Sequence, residues 1–188
     1  MDPALERALV DRLRAGEPSA FDEVYEWRRD RVLRFLVRLS NRRDVADDLA
    51  QEVWLRLARS APQLAPDTRL TAWLFTVARN LYVSHWRARR VAEPLAGDLL
   101  PPALPAPSPF DDAAHSQTSY RVERALAALP DAYREILLLC AVEGLAPREA
   151  ADILGIKPDA ARQRLARARA MIEATIDPQR RYADGDPR

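Results

Sequence analysis

Apolar positions in the first part of the chain recur every three or four residues, the spacing of one face of an α-helix. Phe21, Val24, Tyr25, Val32, Phe35, Leu36 and Leu39 follow this rule, and Ser19-Ala20-Phe21-Asp22 reads as a capped helix start. A polar break at Asn41 to Asp44 precedes a second helix, expected from Asp44 to Arg59. Each helical residue advances by about 100°, so Val45, Leu49, Val53 and Leu57 share one face and belong in the core. The other side carries Asp48, Gln51 and Leu55, with Glu52 at its edge. A lone exposed leucine is common on soluble proteins. The other reading of these four residues is an acid-rimmed docking face for a partner helix.

Pro62 and Pro66 fall in a loop from Ala61 to Leu70, and a third helix is expected from Thr71 to Arg90. Leu74, Val77, Ala78 and Leu81 form its inner stripe. Its other side carries Phe75, Arg79, Tyr82, Val83, Trp86, Arg87 and Arg90. Single-stranded nucleic acid is held by this combination, because rings stack on bases and guanidiniums neutralise phosphate. Phe75 is expected to pack against the first helix instead, and Trp73 to be core. Arg79, Trp86, Arg87 and Arg90 are the nucleic-acid candidates.

Beyond residue 119 the pattern resumes. Val122, Ala125, Leu126 and Leu129 make a short amphipathic helix ended by Pro130, and Asp131 is placed to cap the next. The apolar run Ile136 to Cys140 is expected to be buried, and Gly144 to end that helix. Pro147 suits a first helical position, Gly155 the turn after a short helix, and Pro158 the start of another. Two helices joined by a tight glycine turn, the first rich in alanine, describe a helix-turn-helix. On its second helix Ala161, Leu165, Ala168 and Ile172 should face inward. Arg162, Gln163, Ala166 and Arg167 face outward and suit a major groove: Arg pairs with guanine, Gln with adenine, and Ala leaves room for a thymine methyl. Arg164 and Arg169 flank them and suit phosphates. A run of charge alone is more often a solvated face; the helix-turn-helix spacing is what favours DNA.

Composition sharpens this picture. The chain has 188 residues and a formal net charge of +1, so no global field draws it to nucleic acid. Its cations are 28 arginines and one lysine, Lys157. Cys140 is the only cysteine and the histidines are His85 and His115, which excludes a disulfide framework and a multi-histidine metal centre. No apolar run approaches a membrane span and the start lacks a signal pattern, so a cytoplasmic protein is expected. Pro94, Pro101, Pro102, Pro105, Pro107 and Pro109 crowd one acidic stretch without Lys or Arg. The expected architecture is therefore all-α: helical domains at 1–90 and 120–176, a flexible Pro-rich linker at 91–119, and a frayed tail at 177–188. No nucleophile–base set, phosphate-binding glycine loop or metal cluster is present, so the expected mechanism is binding without catalysis and without a cofactor.

Together these segments resemble the extracytoplasmic-function (ECF) class of bacterial RNA polymerase sigma factors. Asp44-Val45-Ala46-Asp47-Asp48-Leu49-Ala50-Gln51-Glu52-Val53-Trp54 resembles the family's polymerase-binding helix. Leu70-Thr71-Ala72-Trp73-Leu74-Phe75-Thr76-Val77-Ala78-Arg79-Asn80-Leu81 resembles the segment leading into its promoter-melting helix, and Gly155 through Arg169, with Lys157, its −35 recognition motif. The resemblance implies that Asp48, Gln51, Glu52 and Leu55 dock on the β′ clamp helices of core RNA polymerase, a partner that also offers its β subunit. It implies that loop 61–70, with Thr68 and Arg69, and the helix bearing Arg79, Asn80, Trp86, Arg87 and Arg90 open and read the −10 element. It implies that the last helix reads the −35 element as duplex and that an anti-sigma factor restrains the protein. Departures fall at Ser84, where relatives often carry Asp, at Asp159-Ala160-Ala161, often Gly-Thr-Val, and at Ala146, in place of a hydroxyl cap. A stand-alone helix-turn-helix regulator explains the second half but not the first. A helical adaptor or sequestering protein without DNA contact predicts that Arg162→Ala and Arg167→Ala change nothing at a promoter.

Overall fold

The computed structural model describes residues 3–92 and 117–176, which fall in two compact units, Met1–Leu100 and Pro101–Arg188. Among the described residues there are eight α-helices and no strand, the all-α architecture expected. None of these helices is long and apolar enough to cross a membrane.

The first unit holds α1 (Pro3–Arg14), α2 (Pro18–Ser40), α3 (Arg43–Ser60) and α4 (Leu70–Ala92), with a short 3-10 turn at Ala61–Gln63. Helix α1 is an addition to the sequence reading. It is short and buries only Leu9, Val10 and Leu13, one apolar face of two turns. Its Arg12 reaches Glu17 at 2.9 Å, Glu23 at 2.8 Å and the Ser19 hydroxyl at 3.2 Å, tying α1 to the start of α2. Ser19 is therefore not a cap. Glu17 occupies the cap position, and helix α2 starts two residues earlier than a Ser19 cap implies, at Pro18, whose missing N–H costs nothing in a first turn. At the other end of α2, Asn41 takes the left-handed conformation, with φ 54°, which a short polar side chain tolerates. That conformation turns the chain into α3 within two residues.

The core of this unit is the seam between α2, α3 and α4. Val32, Leu36, Leu39, Val53, Leu57, Leu70 and Leu74 are fully buried there. Phe75 lies edge-on to Phe35 at 5.1 Å between centroids, the packing expected of it. Tyr82, from the expected outward set, is buried as well, at 6% exposure.

Beside the α2–α3 turn, the hydrogen bond from Arg42 and the Val45 N–H hold the Asp44 carboxyl at about 2, below its ordinary 3.8. A folded value below the unfolded one adds stability above about pH 3.8 that is lost as pH falls through about 2. An NMR titration of the Asp44 side chain should accordingly show its midpoint near 2.

The second unit holds α5 (Gln117–Ala127), α6 (Asp131–Leu137), α7 (Pro147–Leu154) and α8 (Pro158–Ile176). Helix α8 packs against each of the other three. Pro130, not Asp131, occupies the N-cap of α6; Asp131 is in the first turn and pairs with Arg134 at 3.4 Å. Arg134 is 2% exposed, and its guanidinium donates to the carbonyls of Leu126 (3.1 Å), Ala127 (2.7 Å) and Leu129 (2.8 Å). Leu126 and Ala127 are in the last turn of α5, where carbonyls lack i+4 partners, and Leu129 is in the turn that follows; the Leu126 carbonyl also accepts the Leu129 N–H at 3.1 Å. Helix α6 runs on into a π-helical segment, Leu138–Val142, which buries Leu138 and Leu139. Cys140 is half-buried in that segment, and burial pushes its thiol pKa up, as suits an unactivated thiol.

The linker expected at 91–119 is entered by helix from both sides. Val91 and Ala92 complete α4, and Gln117 opens α5. Residues 93–116 and the tail 177–188 lie outside the described residues.

Candidate nucleic-acid interface and docking groove

Helix α7 begins at Pro147 and ends at Gly155, whose left-handed φ of 64° an alanine would adopt only with strain. Ala146 cannot cap α7 with a side chain. Glu149 supplies the other half of a capping box by accepting the Ala146 N–H at 2.8 Å. Ala150 and Ala151 are fully buried between α7 and its neighbours, and their small size lets the helices approach closely. The turn Gly155–Lys157 leads directly into α8, where the Lys157 carbonyl accepts the Ala161 N–H at 3.0 Å.

Of the four residues expected on the inner face of α8, Ala161, Leu165 and Ala168 are buried, while Ile172, near the end of the helix, is half-buried. Arg162, Gln163, Ala166 and Arg167 are all exposed on the opposite arc. Lys157 and Arg169 are exposed beside them, and Arg164 is half-buried. Asp159, one of the departures, forms an ion pair with Arg162 one turn along the helix. The first guanidinium of the arc thus already has a carboxylate partner in the free chain.

The second candidate surface lies on α4. Thr68 and Arg69 sit in the loop just ahead of it, half-buried and exposed respectively, and the Arg69 carbonyl accepts the Trp73 N–H at 2.9 Å. Arg79, Asn80, Val83, Trp86 and Arg87 follow within roughly a third of the helix circumference. Asn80 and Arg87 are exposed, whereas Arg79 and Trp86 are half-buried. Arg90 belongs to α4, but its side chain lies outside the described residues. Trp86 packs edge-on against Tyr82 (6.3 Å) and His85 (5.7 Å), with the Arg89 guanidinium 5.7 Å from its ring. The indole N–H of Trp86 is buried without a hydrogen-bond partner, and so is Nε2 of His85. This end of α4 presents a ring and cations together, the arrangement base stacking requires.

The third surface is a groove of about 430 Å³ between α2 and α3. The structure divides the four residues expected to dock. Gln51 and Leu55 line the groove, and Leu55 is 43% exposed. Asp48 is exposed outside it. Glu52 is turned along the helix, engaged by Arg56 at 3.1 Å and Arg59 at 4.0 Å. What the sequence reading missed is the aromatic wall of Phe21, Tyr25 and Trp54. Tyr25 meets Trp54 edge-on at 5.0 Å, and Phe21 stands 6.5 Å from both rings. Phe21 and Tyr25 stand four residues apart, at the helical spacing read from the sequence. Each is only half-buried, because the groove opens between their helix and α3.

Comparison with known proteins bears on the family and the fold. Residues 24–91 match the family model for Sigma-70 region 2, and residues 119–172 that for Sigma-70 region 4. The chain is 34% identical to the RNA polymerase sigma factor CarQ of Myxococcus xanthus, over 82% of this chain and 88% of that protein. It is 34% identical to the ECF RNA polymerase sigma factor EcfG of Rhodopseudomonas palustris, over 80% of this chain and 79% of that protein. It is 33% identical to ECF sigma factor SigE of Mycolicibacterium smegmatis over 84% of this chain, but spans only 62% of that protein. It likewise spans 36% of the probable sigma factor RfaY of Xanthomonas campestris. The fold is that of the sigma factor RpoE of Bartonella quintana, solved with the anti-sigma factor NepR (TM-score 0.71, 24% identity, 83% of this chain and 96% of that one). It is also that of CnrH, solved with the cytosolic domain of CnrY (TM-score 0.68, 24% identity, 93% and 98%). With region 2 on the first unit, region 4 on the second, and full-length relatives matched across both, this chain belongs to the ECF family of RNA polymerase sigma factors.

Proposed function

We propose that this chain binds core RNA polymerase, recognises the −35 and −10 elements of its promoters and promotes DNA melting for transcription initiation. The observation that carries the reading is the outer arc of α8. Four residues that read base edges or fit against them stand exposed over a buried Ala161-Leu165-Ala168 seam, behind a glycine turn. In this reading Arg162, Gln163, Ala166 and Arg167 enter the major groove of the −35 duplex, while Lys157, Arg164 and Arg169 meet phosphates. Thr68, Arg69, Arg79, Asn80, Trp86, Arg87 and Arg90 hold the −10 strand after opening, where stacking and phosphate neutralisation offset part of the unpairing free energy. The chain makes no bond itself; polymerase supplies the chemistry.

The α2–α3 groove, with Gln51 and Leu55 on its edge and Asp48 and Glu52 outside it, is the docking surface for the β′ clamp helices, with further contact to β. An apolar floor with a mixed-charge rim is the composition of a protein-binding patch. Cytoplasmic location follows from the partner. Restraint by an anti-sigma factor is part of the proposal, on the likeness to RpoE solved with NepR.

In vitro transcription with purified core enzyme across a randomised promoter library tests the whole. The expected result is initiation confined to promoters sharing two spaced elements. Tight binding of the chain alone to promoter duplex, with no dependence on core enzyme, would instead mark a stand-alone regulator. Leu55→Asp should lower affinity for core enzyme at least tenfold, roughly the cost of a charge in a desolvated apolar contact. Unchanged affinity would remove the groove from the interface.

A further inference from the structure

The loop carrying Thr68 and Arg69 does not cap its own helix. Thr71 is the second residue of α4, and its N–H is one of the orphan donors at the helix start. The residue at the cap position is Arg69, which offers no short acceptor. The acceptor comes from elsewhere in the chain: Oε1 of Glu6, on α1, takes the Thr71 N–H at 3.2 Å. A carboxylate at that place is also favoured by the helix dipole. The Thr71 hydroxyl in turn accepts Nη2 of Arg28, on α2, at 2.6 Å, and Arg28 is 5% exposed. Thr71 is thus held from two other helices, α1 through its N–H and α2 through its hydroxyl.

Helix α1 also rests on the 3-10 turn Ala61–Gln63, at the opposite end of the same loop. Ala61 and Leu64 are buried there, at 7% and 5% exposure. Both ends of the segment 64–70 are therefore fastened to α1 or beside it, and the part between them holds the two loop residues proposed to read the −10 strand.

We propose that α1, through the Glu6 carboxylate, positions the −10-reading loop and the first turn of α4, making Glu6 a positioning residue for −10 recognition. This rests on the proposed −10 role of Thr68 and Arg69. Glu6 touches no base; it acts by fixing the backbone from which those side chains project. Recognition groups lose discrimination when their support shifts by about half an ångström. The fold does not depend on Glu6, because Leu9, Val10 and Leu13 hold α1 in place.

The test uses the full chain with core enzyme on promoters of fixed −35 element and randomised −10 element. Glu6→Ala should alter relative base preference within the −10 element by roughly threefold, about the effect of losing a helix cap. On a second promoter set with the −10 element fixed and the −35 element varied, preference should stay as in the parent chain, as should affinity for core enzyme, while thermal unfolding falls only by the small amount of one lost helix cap. Glu6→Gln should restore the −10 preference, since its amide oxygen accepts the same N–H. Glu6→Asp keeps the charge but shortens the arm and should behave as Glu6→Ala, which keeps the proposal testable if the alanine variant does not fold. Uniform loss over all −10 sequences, or a preference identical to the parent, overturns the proposal. A parent chain with no −10 preference overturns the functional reading beneath it.

Discussion

Arg134→Met is expected to destabilise the second unit by about 3 kcal/mol while leaving the first unit's unfolding unchanged. The side chain is almost wholly buried, and its guanidinium supplies donors to three carbonyls at and just beyond the end of α5. Methionine fills similar space but removes the guanidinium from all three; the Leu126 carbonyl keeps the Leu129 N–H at 3.1 Å, while those of Ala127 and Leu129 lose the charged donor. A charge-assisted hydrogen bond contributes about 1.5–3 kcal/mol, and an orphaned buried acceptor costs about 1–3 kcal/mol. Urea unfolding of the full chain, followed by signals specific to each unit, checks the result. A loss below about 1 kcal/mol would mean that water reaches those carbonyls when the guanidinium is removed. Because α8 packs on α5 and α6, the same variant should also weaken −35 recognition without touching a base.

Arg167→Ala is expected to reduce −35-dependent initiation by roughly 5- to 150-fold, the equivalent of about 1–3 kcal/mol for a good base contact. The loss should be concentrated at one base position. Arg162→Ala should act in the same direction but more weakly. Arg162 is already paired with Asp159, so reaching a guanine means giving up that partner, and the net gain is smaller. Initiation rates on promoters with single −35 substitutions, measured at several salt concentrations, separate two outcomes. A base contact gives relaxed preference at one position. A phosphate contact gives uniform weakening and a shallower salt dependence.

The sequence announced most of α8 and little of α1. In α8 the cues agree: Pro158 starts the helix, Gly155 ends the one before, and small or apolar residues at 161, 165 and 168 face the core. Helix α1 is only twelve residues long, and of its larger apolar residues Leu9, Val10 and Leu13 are buried while Leu5 is exposed, a face too brief to stand out. Its importance comes from a hydrogen bond to a residue 65 positions away, which no local pattern encodes. The start of α2 illustrates competing local signals. Ser19 and Asp22 imitate a cap, but Pro18 already satisfies the geometry of a first turn, and the Ser19 hydroxyl is spent on Arg12. The docking groove was half legible. Leu55 stands out against a polar face, yet Phe21 and Tyr25 show only helical spacing, which cannot tell a buried seam from an open cleft. Glu52 looked like part of an acidic rim until Arg56 and Arg59 proved to neutralise it.

Lys157, the one lysine in the sequence, is exposed in the turn between α7 and α8. Amine-selective acylation can therefore modify a single side chain of this protein, and that side chain lies next to the arc of α8. A fluorophore attached there would report from beside the −35 contact without any engineered cysteine, and an acetyl group would remove a positive charge at the same spot. The other cationic side chains are arginines, which such reagents leave untouched, so the α-amino group is the one competing amine.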